Sequence, residues 1–273
     1  MRQKNKTTVA IPVRNGSDYL EETITLLFDA PVSEILISNN FSNDATENIL
    51  SRFPNLTIIK PSLPITMAEN WNFVTKNIKT EYFRLVSHDD LPNLQSFIEH
   101  ETILDTNPEV GMVFSRRGLI IDGRNKRINL GAGRFHSKIY KNSLDLFENI
   151  CKSGTNPCGE TFTVTIRTKL FQSSENKISW FDNEPFELDT WLQISRQMQI
   201  VEAKTIGGRF RVHLNSHSGL IPNYFLQGNK VISWARKQPE YHSIRIQEKV
   251  LLVLTIKSRA LLRYFAFKFI KFL

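Results

Sequence analysis

Short apolar runs alternate with amphipathic segments along the first 115 residues of the chain. The apolar runs have the length of β-strands and cover residues 8–13, 34–38, 56–60 and 82–86. The segments between and after them repeat apolar residues at helical spacing and cover residues 19–28, 45–53, 67–77 and 94–106. Strands that alternate with helices form right-handed βαβ crossovers. The pattern therefore predicts an α/β fold with a mostly parallel central sheet flanked by helices.

The pattern is less regular after residue 115. Residues 116–138 are polar, contain glycine and show no clear period, which predicts a loop with short strands. Further along, the pattern predicts helices over residues 144–151 and 190–198, and strands over residues 161–166 and 210–214.

The composition is that of an ordinary globular protein, because 41% of the 273 residues are hydrophobic and 23% are charged. The N-terminus lacks the basic start, apolar stretch and small-residue cleavage site of a secretion signal, so we expect a cytoplasmic protein. Cys151 and Cys158 are the only cysteines, and their spacing is typical neither of a disulfide framework nor of a zinc site. We expect both to be reduced thiols.

The positive charge is concentrated at the C-terminus. Residues 230–273 contain ten Lys or Arg and two Glu, a surplus of eight that equals the net charge of +8 of the whole chain. From Lys249 onward, basic residues are interleaved with Leu, Val, Ile and Phe. This pattern predicts a basic amphipathic helical tail over residues 221–273, behind a domain of residues 1–220.

Cations interrupt this tail too often for it to span a bilayer. It suits an anionic membrane surface, and we expect the protein to be peripheral on the inner face of the cell membrane. Two alternatives stay open: the apolar face packs on the body of the protein, or it contacts another subunit. No recognisable nucleic-acid-binding module accompanies the charge, so we expect no nucleic acid partner.

Polar clusters follow three of the predicted strands. They are Arg14-Asn15 after the first, Asn39-Asn40 after the second and Ser87-His88-Asp89-Asp90 after the fourth. Ligands of parallel α/β sheets bind beyond the carboxyl ends of the strands, so the three clusters predict one site. Adjacent aspartates repel each other unless a cation or hydrogen-bond donors compensate them, and Mg²⁺ and Mn²⁺ prefer such oxygen ligands. The alternative is a turn and helix N-cap, for which Asp-Asp-Leu-Pro is also suitable.

Residues 7–220 resemble the family 2 glycosyltransferases of GT-A fold, which transfer a sugar from a nucleotide diphosphate to an acceptor. The resemblance implies a GT-A (Rossmann-like) α/β fold, here with a basic helical C-terminal extension. Pro12, Arg14 and Asn15 lie in the segment that is similar to the family's opening strand and Pro-x-x-Asn loop, whose backbone frames the nucleobase. The resemblance therefore assigns these residues to the nucleotide sugar.

Four asparagines belong to the same implied binding site. Asn39 and Asn40 stand where the family normally has an acidic pair, and they can hydrogen-bond a pyrimidine edge or a ribose. Asn70 and Asn72 lie in a segment similar to the asparagine-containing stretch before the metal strand, so either can contact the diphosphate or the nucleoside.

The resemblance places Ser87-His88-Asp89-Asp90 on the Asp-x-Asp metal motif of the family, with Ser87 at the first acidic position. It implies that Asp89 binds Mn²⁺ or Mg²⁺ and contacts the nucleotide sugar. Asp90 is expected to support the metal site, and His88 to border the nucleotide sugar. Because Ser87 replaces an acid, the strength of the metal dependence is an open question.

A late segment of the family is similar to Arg211-Val212-His213, which Ser216 and Ser218 follow. In the family a histidine or arginine of this segment approaches the metal or the diphosphate. His213 is therefore a second candidate metal ligand, and Arg211 is a candidate contact for the diphosphate. The alternative for the histidine is a structural hydrogen bond.

The general base of the family is an Asp in an acidic segment that opens a helix. Asp189, in Leu188-Asp189-Thr190-Trp191-Leu192, keeps the Asp-x-x-Leu core and is the first candidate, and Glu187 is the second. In an inverting transfer one carboxylate accepts the proton of the acceptor hydroxyl while that oxygen attacks the anomeric carbon. Gly159 is expected to border the donor sugar and the acceptor.

The sequence thus predicts a metal-dependent inverting glycosyltransferase. The donor is a nucleotide-diphosphate sugar and the acceptor a glycan or lipid-linked molecule, in the synthesis of a surface polysaccharide. The alternative is a catalytically weak or inactive relative, because Ser87, Asn39 and Leu188 stand at usually acidic positions. A nicotinamide oxidoreductase is disfavoured, because no G-x-G-x-x-G follows the first strand. The sugar, the base and the acceptor are not predicted.

Overall fold

The computed structural model describes residues 5–122, 127–134, 136–175, 177–181, 185–213 and 224–270. The strands are β1 (Thr7–Val13), β2 (Glu34–Asn39), β3 (Thr57–Ile59), β4 (Tyr82–Leu85), β5 (Leu91–Pro92), β6 (Val110–Phe114), β7 (Arg117–Asp122), β8 (Arg127–Leu130), β9 (Ile139–Tyr140), β10 (Val164–Arg167), β11 (Gln199–Glu202) and β12 (Gly208–Val212). The helices are α1 (Leu20–Leu27), α2 (Thr46–Leu50), α3 (Met67–Lys76), α4 (Leu94–Thr106), α5 (Ser143–Ser153), α6 (Lys169–Gln172), α7 (Phe186–Ser195), α8 (Tyr224–Lys237), α9 (Pro239–Ser243) and α10 (Ile246–Ile270).

Eight strands form the central sheet, in the order β3-β2-β1-β4-β10-β6-β11-β9. β1 pairs in parallel with β2 and β4, β2 with β3 and β6 with β11, whereas β10 and β9 run antiparallel to their neighbours. Val9, Ala10 and Ile11 of β1 are fully buried, as expected for a strand that is covered on both faces. The predicted α/β fold with a mostly parallel central sheet is confirmed.

A second, four-stranded sheet has the order β5-β12-β7-β8. The strand predicted near residue 210 is β12, which pairs in parallel with β7 and antiparallel with β5. Because β5 follows the Asp89-Asp90 loop, this pairing brings the end of β12 to the carboxyl end of β4. The small sheet therefore joins two parts of the chain that are distant in sequence.

Two elements begin three or more residues away from the predicted start. Helix α7 begins at Phe186 instead of Thr190, and the backbone N–H of Asp189 donates to the Pro185 carbonyl (3.1 Å). Proline is suited to a helix start, because the N–H groups of the first turn have no partner within the helix. The strand expected over residues 161–166 begins at Val164, after a 3₁₀ turn over Thr161–Thr163.

The C-terminal helices share the core of the sheet domain. Leu252 and Ile256 of α10 are buried in the same apolar cluster as Phe147 of α5. The Nε1–H of Trp234 on α8 donates to Asp189 Oδ1 on α7 (2.8 Å). Helices α8 to α10 are therefore packed on the body, although the domain boundary at residue 220 stays a prediction.

Candidate functional site

The loops after β1 and β2 are joined by hydrogen bonds. Asn15 has a positive φ of 56°, and its backbone N–H donates to Ser42 Oγ (2.9 Å). In return, its Oδ1 accepts the N–H of Asn43 (2.9 Å). Asparagine tolerates this left-handed backbone conformation better than most residues, and this accounts for an asparagine at position 15. The two loops therefore form one rigid edge beside the sheet.

Asp44 holds the same two loops together from the other side. Its carboxylate accepts the backbone N–H groups of Ser17 (2.9 Å) and Thr46 (3.0 Å). Burial opposes ionisation of this carboxyl, but the hydrogen bonds from Thr46 and Ser17 outweigh it and lower the pKa of Asp44. Asp44 is therefore an ionised structural residue of the loop.

Three of the four candidate asparagines make structural hydrogen bonds near the site. The amide of Asn40 donates to the Ile65 carbonyl (2.7 Å) and accepts the Ile65 N–H (3.1 Å). Asn70 Oδ1 accepts from the hydroxyl of Ser38 (2.6 Å), and Asn39 Oδ1 accepts the N–H of Ser42 (3.2 Å). Asn40 and Asn70 border a large cleft, whereas Asn39 is not among the residues that line it.

Asn72 lies outside this cleft. Its side chain donates to the Trp180 carbonyl (2.7 Å) and accepts the Trp180 N–H (2.9 Å). It borders a separate cavity of about 410 Å³. Asn70 and Asn72 are two residues apart on α3 and consequently point in different directions. The structure therefore does not bring Asn72 to the predicted site.

The large cleft lies at the carboxyl ends of β1, β2 and β4 and has a volume of about 1450 Å³. This exceeds a typical small-ligand pocket and leaves space for two substrates. The predicted site residues on its wall are Pro12, Arg14, Asn15, Asn40, Asn70, His88, Asp89, Asp90, Gly159, Glu187 and His213. Most of the predicted site residues therefore line one cleft, although their segments are up to about 200 residues apart.

Asp89 and His213 meet in the cleft. His213 Nε2 lies 3.0 Å from Asp89 Oδ2, and the ring of Tyr19 packs on the imidazole with a centroid distance of 4.7 Å. Burial opposes ionisation of Asp89, but its hydrogen bond with His213 and the electrostatic attraction of the neighbouring imidazoles together lower the pKa of Asp89. An ionised carboxylate and an imidazole therefore face the cleft side by side. Ser216 and Ser218 lie outside the described residues.

Asp90 is more buried than Asp89, and His88 packs against the loop after β1. Asp90 is 2% exposed, and its Oδ1 accepts the backbone N–H of Arg211 (3.0 Å). Burial and the charge of Asp89 raise the pKa of Asp90 well above its ordinary value. The ring of His88 packs against Gly16, where a Cβ atom would come within 2.9 Å of it, and burial lowers the pKa of His88. Asp90 thus links β12 to the end of β4.

Arg211 is fully buried behind Asp89 and does not line the cleft. Its guanidinium donates to Asp122 (2.6 Å) and to Glu22 (2.7 Å). Its Nε–H donates to the carbonyl of Asp89 (2.8 Å). The structure therefore does not bring Arg211 to the position of a diphosphate; the side chain holds the Asp89 loop against α1 and β7.

Glu187 is the candidate base that faces the cleft. Its carboxylate accepts the N–H of Thr161 (3.2 Å) and a hydrogen bond from Asn156 Nδ2 (3.3 Å). Burial and the negative charge of Glu160 raise the pKa of Glu187 to about 8. Glu160 is itself held by Arg117, which donates two hydrogen bonds to it. Glu187 is therefore oriented by donors and poised to exchange a proton near neutral pH.

Asp189 faces away from the cleft. Its two oxygens accept hydrogen bonds from Trp234 Nε1 (2.8 Å) and Gln193 Nε2 (2.8 Å). A spacing of two residues on a helix corresponds to a rotation of about 200° around its axis, so Glu187 and Asp189 occupy opposite faces of α7. The structure therefore favours the second candidate base over the first.

Gly159 is at the edge of the cleft, with a positive φ of 78°. Its carbonyl accepts hydrogen bonds from Asn156 Nδ2 (2.7 Å) and Trp191 Nε1 (3.3 Å). Glycine adopts this φ at no steric cost. It therefore allows the chain to turn between Asn156 and Thr161, the two residues that orient Glu187.

Sequence reasoning missed several residues of the cleft wall. Arg117 and Glu160 flank Glu187, and Arg259 and Arg263 of α10 line the same cleft. The sequence did contain a signal for Arg117, because this residue follows the apolar strand β6 at the sheet edge where the other polar clusters lie. The contribution of α10 has no local sequence signal, since it arises from the packing of the C-terminal helices on α5.

Among the residues that the structure describes, no group of three or more His, Cys, Asp or Glu is placed to hold a metal ion. Asp89 and His213 supply two potential ligands. In the same described ranges, no helix is long and apolar enough to cross a membrane.

Solved structures of similar fold include S. aureus TarS residues 1–349 in complex with UDP-GlcNAc, with a TM-score of 0.63 and 16% identity over 96% of this chain and 73% of that one. The mannosyltransferase PcManGT from Pyrobaculum calidifontis in complex with GDP-Man and Mn²⁺ has a TM-score of 0.63 and 14% identity, over 97% of this chain and 76% of that one. At these identities the similarity shows the fold alone.

The sequence comparisons show the family. An uncharacterized glycosyltransferase of Rickettsia typhi is 34% identical over 98 residues, which is 34% of this chain and 30% of the length of that relative. The profile described as Glycosyl transferase family 2 matches residues 8–170, more than half of the chain. On this match, the chain belongs to glycosyl transferase family 2.

Proposed function

We propose that this protein transfers a sugar from a nucleotide-diphosphate sugar to a hydroxyl of a glycan or glycolipid, in a metal-dependent reaction that inverts the anomeric centre. One observation carries the proposal: the Asp89–His213 pair and Glu187 line the same cleft at the carboxyl ends of the parallel strands. Family membership and the nucleotide-sugar complexes of the similar structures support it.

Asp89 and His213 are the residues that would hold the metal. A carboxylate and an imidazole whose ligating atoms lie 3.0 Å apart suit Mn²⁺, and the carboxylate also suits Mg²⁺. With two protein ligands, diphosphate oxygens and water would complete the coordination. When bound, the ion supplies stabilisation of the charge that develops on the departing diphosphate. Arg211 fixes the Asp89 backbone, and Tyr19 packs on the His213 ring.

Glu187 is the proposed base. Its carboxylate accepts the proton of the acceptor hydroxyl while that oxygen attacks the anomeric carbon from the face opposite the diphosphate. Thr161 and Asn156 keep the carboxylate oriented through hydrogen bonds. A single displacement of this kind forms no covalent intermediate with the protein and needs one carboxylate near the acceptor. Glu187 is the carboxylate that α7 turns to the cleft, so it can meet this need.

A panel of nucleotide sugars, assayed for hydrolysis with and without Mn²⁺ or Mg²⁺, tests the metal and the donor. Asp89→Ala is expected to abolish the stimulation by the ion, because the charged ligand is lost. Undiminished stimulation in this variant would disprove the metal assignment. The anomeric configuration of the product, read by NMR coupling constants, separates inversion from retention.

We also propose that α10 rests on an anionic membrane surface on the cytoplasmic side, as part of surface polysaccharide synthesis. The helix buries Leu252 and Ile256 in the core, yet Leu254 (61%), Leu262 (62%) and Phe265 (58%) are exposed on other faces. No acidic residue follows Glu248 in this basic helix. Apolar side chains with flanking cations suit the lipid interface.

Vesicle co-sedimentation tests this association. The double variant L262Q/F265Q is expected to bind vesicles that contain phosphatidylglycerol more weakly than the wild type, with an unchanged Tm, because both side chains are exposed. Equal binding of the two proteins would contradict the proposal.

A second candidate function is a nucleotide-sugar-binding relative with weak or no catalysis. Ser87 at the first acidic position of the metal motif favours it, as does the use of both amide groups of Asn40 for the Ile65 backbone. It predicts nucleotide binding without turnover, so transfer to any acceptor would exclude it.

A further inference from the structure

The cleft continues beyond Glu187 along the C-terminal helices. Val231 of α8 and Arg259 and Arg263 of α10 line it together with Glu187. The donor-side residues, such as Arg14, follow strands in the half of the sheet formed by β3, β2, β1 and β4, whereas α7 packs against β6 and β11 in the other half. The wall formed by α8 and α10 is therefore on the side of the cleft where an acceptor would approach the base.

This wall is firmly attached to the body. Thr255 Oγ1 of α10 donates to the carbonyl of Cys151 on α5 (3.0 Å). Gly154, which follows α5, approaches Thr255 so closely that a Cβ atom would lie 2.6 Å from its backbone. Ala260 is 5% exposed. The backbone of α10 from which the cleft-facing side chains project is therefore fixed against α5.

Two of these side chains are cationic. Arg259 and Arg263 are one helical turn apart, so they lie on the same face of α10. The helix carries no acidic residue after Glu248, and Glu248 already accepts hydrogen bonds from Arg245. The two guanidinium groups therefore bring two positive charges to the same stretch of the cleft wall.

We propose that Arg259 and Arg263 bind a phosphate group of the acceptor, close to the hydroxyl that receives the sugar. This inference rests on the proposed function, which places the donor diphosphate at Asp89 and the base at Glu187. The planar guanidinium fork matches the oxygens of a phosphate, and two such groups can hold one phosphate from two directions. Arg259 and Arg263 then determine acceptor specificity, and the acceptor class is a phosphate ester.

Two sources of this phosphate are distinguishable: a phosphate linked to a lipid and a water-soluble phosphate ester. Leu262 lies three residues after Arg259 and is therefore its neighbour on the helix surface, and it is among the most exposed apolar side chains of α10. An apolar chain attached to the phosphate would find Leu262 beside the arginines. The surroundings therefore favour a lipid-linked phosphate.

The protein can be tested for binding to phosphatidylcholine vesicles that contain a few mole per cent of monoacylglycerol phosphate, a lipid-linked phosphate ester with a free hydroxyl. Vesicles with the uncharged monoacylglycerol are the lipid control, and glycerol phosphate in solution is the soluble probe. The wild type is expected to prefer the vesicles with monoacylglycerol phosphate over both. R259Q/R263Q is expected to lose on the order of tenfold to hundredfold in affinity for them, as for lost hydrogen bonds to a charged group.

The matched control is R236Q/K237Q, which removes the same charge from two exposed residues of the neighbouring helix α8 outside the cleft. It is expected to keep the wild-type affinity, and an equal loss in both double variants would overturn the proposal in favour of general electrostatic attraction. R259K/R263K keeps the charge without the fork and is expected to be intermediate. Full affinity in R259Q/R263Q, with its circular dichroism spectrum intact, also overturns it.

Two further outcomes are informative. If the wild type binds glycerol phosphate as tightly as the vesicles, and R259Q/R263Q loses both, the phosphate site stands and its source is soluble. If R259Q/R263Q instead weakens nucleotide-diphosphate binding by the same factor, the arginines serve the donor and the proposal fails. A wild type that neither binds nor hydrolyses any nucleotide sugar would refute the proposed function, which the phosphate measurement does not address.

Discussion

Glu187 and Asp189 are two residues apart in one helix, yet their carboxylates have different surroundings. Glu187 lies in the cleft beside Glu160 and Arg117, and its pKa is raised to about 8. Asp189 is bonded to Trp234 and Gln193 on the other side of α7. The first carboxylate can reach a substrate in the cleft, and the second joins two helices.

Glu187→Gln removes the base and keeps the shape of the side chain. We expect kcat to fall on the order of 10²–10⁴-fold, the usual contribution of a general base. Nucleotide affinity should change little, because the donor loops are not altered. Asp189→Asn is the matched control and should reduce kcat far less; a larger loss in Asp189→Asn than in Glu187→Gln would restore Asp189 as the base.

The rate should depend on the ionisation of Glu187. A base must be deprotonated, so kcat/KM is expected to rise with pH and to level off above about 8. In Glu160→Gln the negative neighbour is lost while Arg117 stays, so the pKa of Glu187 falls and the rise should move to lower pH. A profile that is identical in wild type and Glu160→Gln would contradict this.

The carboxyl group of Glu187 also affects the stability of the folded protein. Its pKa is raised on folding, so its contribution to stability is fully present below the ordinary value of about 4.5 and is lost as the pH rises through about 8. Glu187→Gln has no such ionisation. Chemical denaturation at pH 5 and pH 9 should therefore show a smaller drop in the free energy of unfolding for Glu187→Gln than for the wild type.

At the scale of elements, Arg211 is the main connection of the site. From β12 it bonds to Glu22 of α1, to Asp122 of β7 and to the loop after β4. Its guanidinium is also 4.5 Å from the ring centroid of Tyr19. Through these contacts the second sheet fixes the position of Asp89 relative to the central sheet.

Arg211→Leu removes the buried cation that bonds to Glu22 and Asp122. We expect the free energy of unfolding to fall by about 3 kcal/mol, which is near the lower end of the usual loss for breaking a buried ion pair. The loss is at the lower end because the Glu22 carboxylate can regain contact with water. Arg52→Leu breaks the exposed pair Arg52–Glu21 (2.8 Å) and should cost about 1 kcal/mol or less. Urea titrations measure both, and equal losses would show that Arg211 is not the stronger connection.

At the scale of the whole molecule, the basic C-terminal segment is both part of the core and part of the cleft. Leu252, Ile256 and Ala260 are buried along one face of α10. Arg259 and Arg263 line the cleft, while other apolar residues face outward. The same helix therefore contributes to stability, to the proposed acceptor site and to the proposed membrane contact.

Deletion of residues 246–273 is therefore expected to destabilise the whole domain and not only to release it from membranes. A milder test is Ile256→Ala, which should cost about 2–5 kcal/mol because it leaves a cavity in the core. Leu262→Ala, at an exposed position of the same helix, should cost less than about 0.5 kcal/mol. A Tm of the truncated chain equal to that of the full chain would contradict the shared core.

Local sequence patterns were sufficient for much of the fold and for part of the site. The apolar runs of β1, β2 and β4 and the polar residues directly after them placed Asn15, Asn40 and Asp89 on one sheet edge, because parallel strands end on the same side. His213 was named from the resemblance, and the structure brings it to Asp89. The second sheet was not foreseen, since its short strands lack a clear period.

The sequence by itself determined the alternation of strands and helices, the edge at which the polar clusters meet and the basic character of the C-terminus, because each depends on residues close together in the chain. Only the tertiary structure decided which of Glu187 and Asp189 faces the cleft, that Arg211 is buried, and that α10 supplies two arginines to the wall. Those outcomes depend on packing between distant segments, because each step of one residue turns a helical side chain by about 100° and only the packing partners decide which face of the helix points to the cleft.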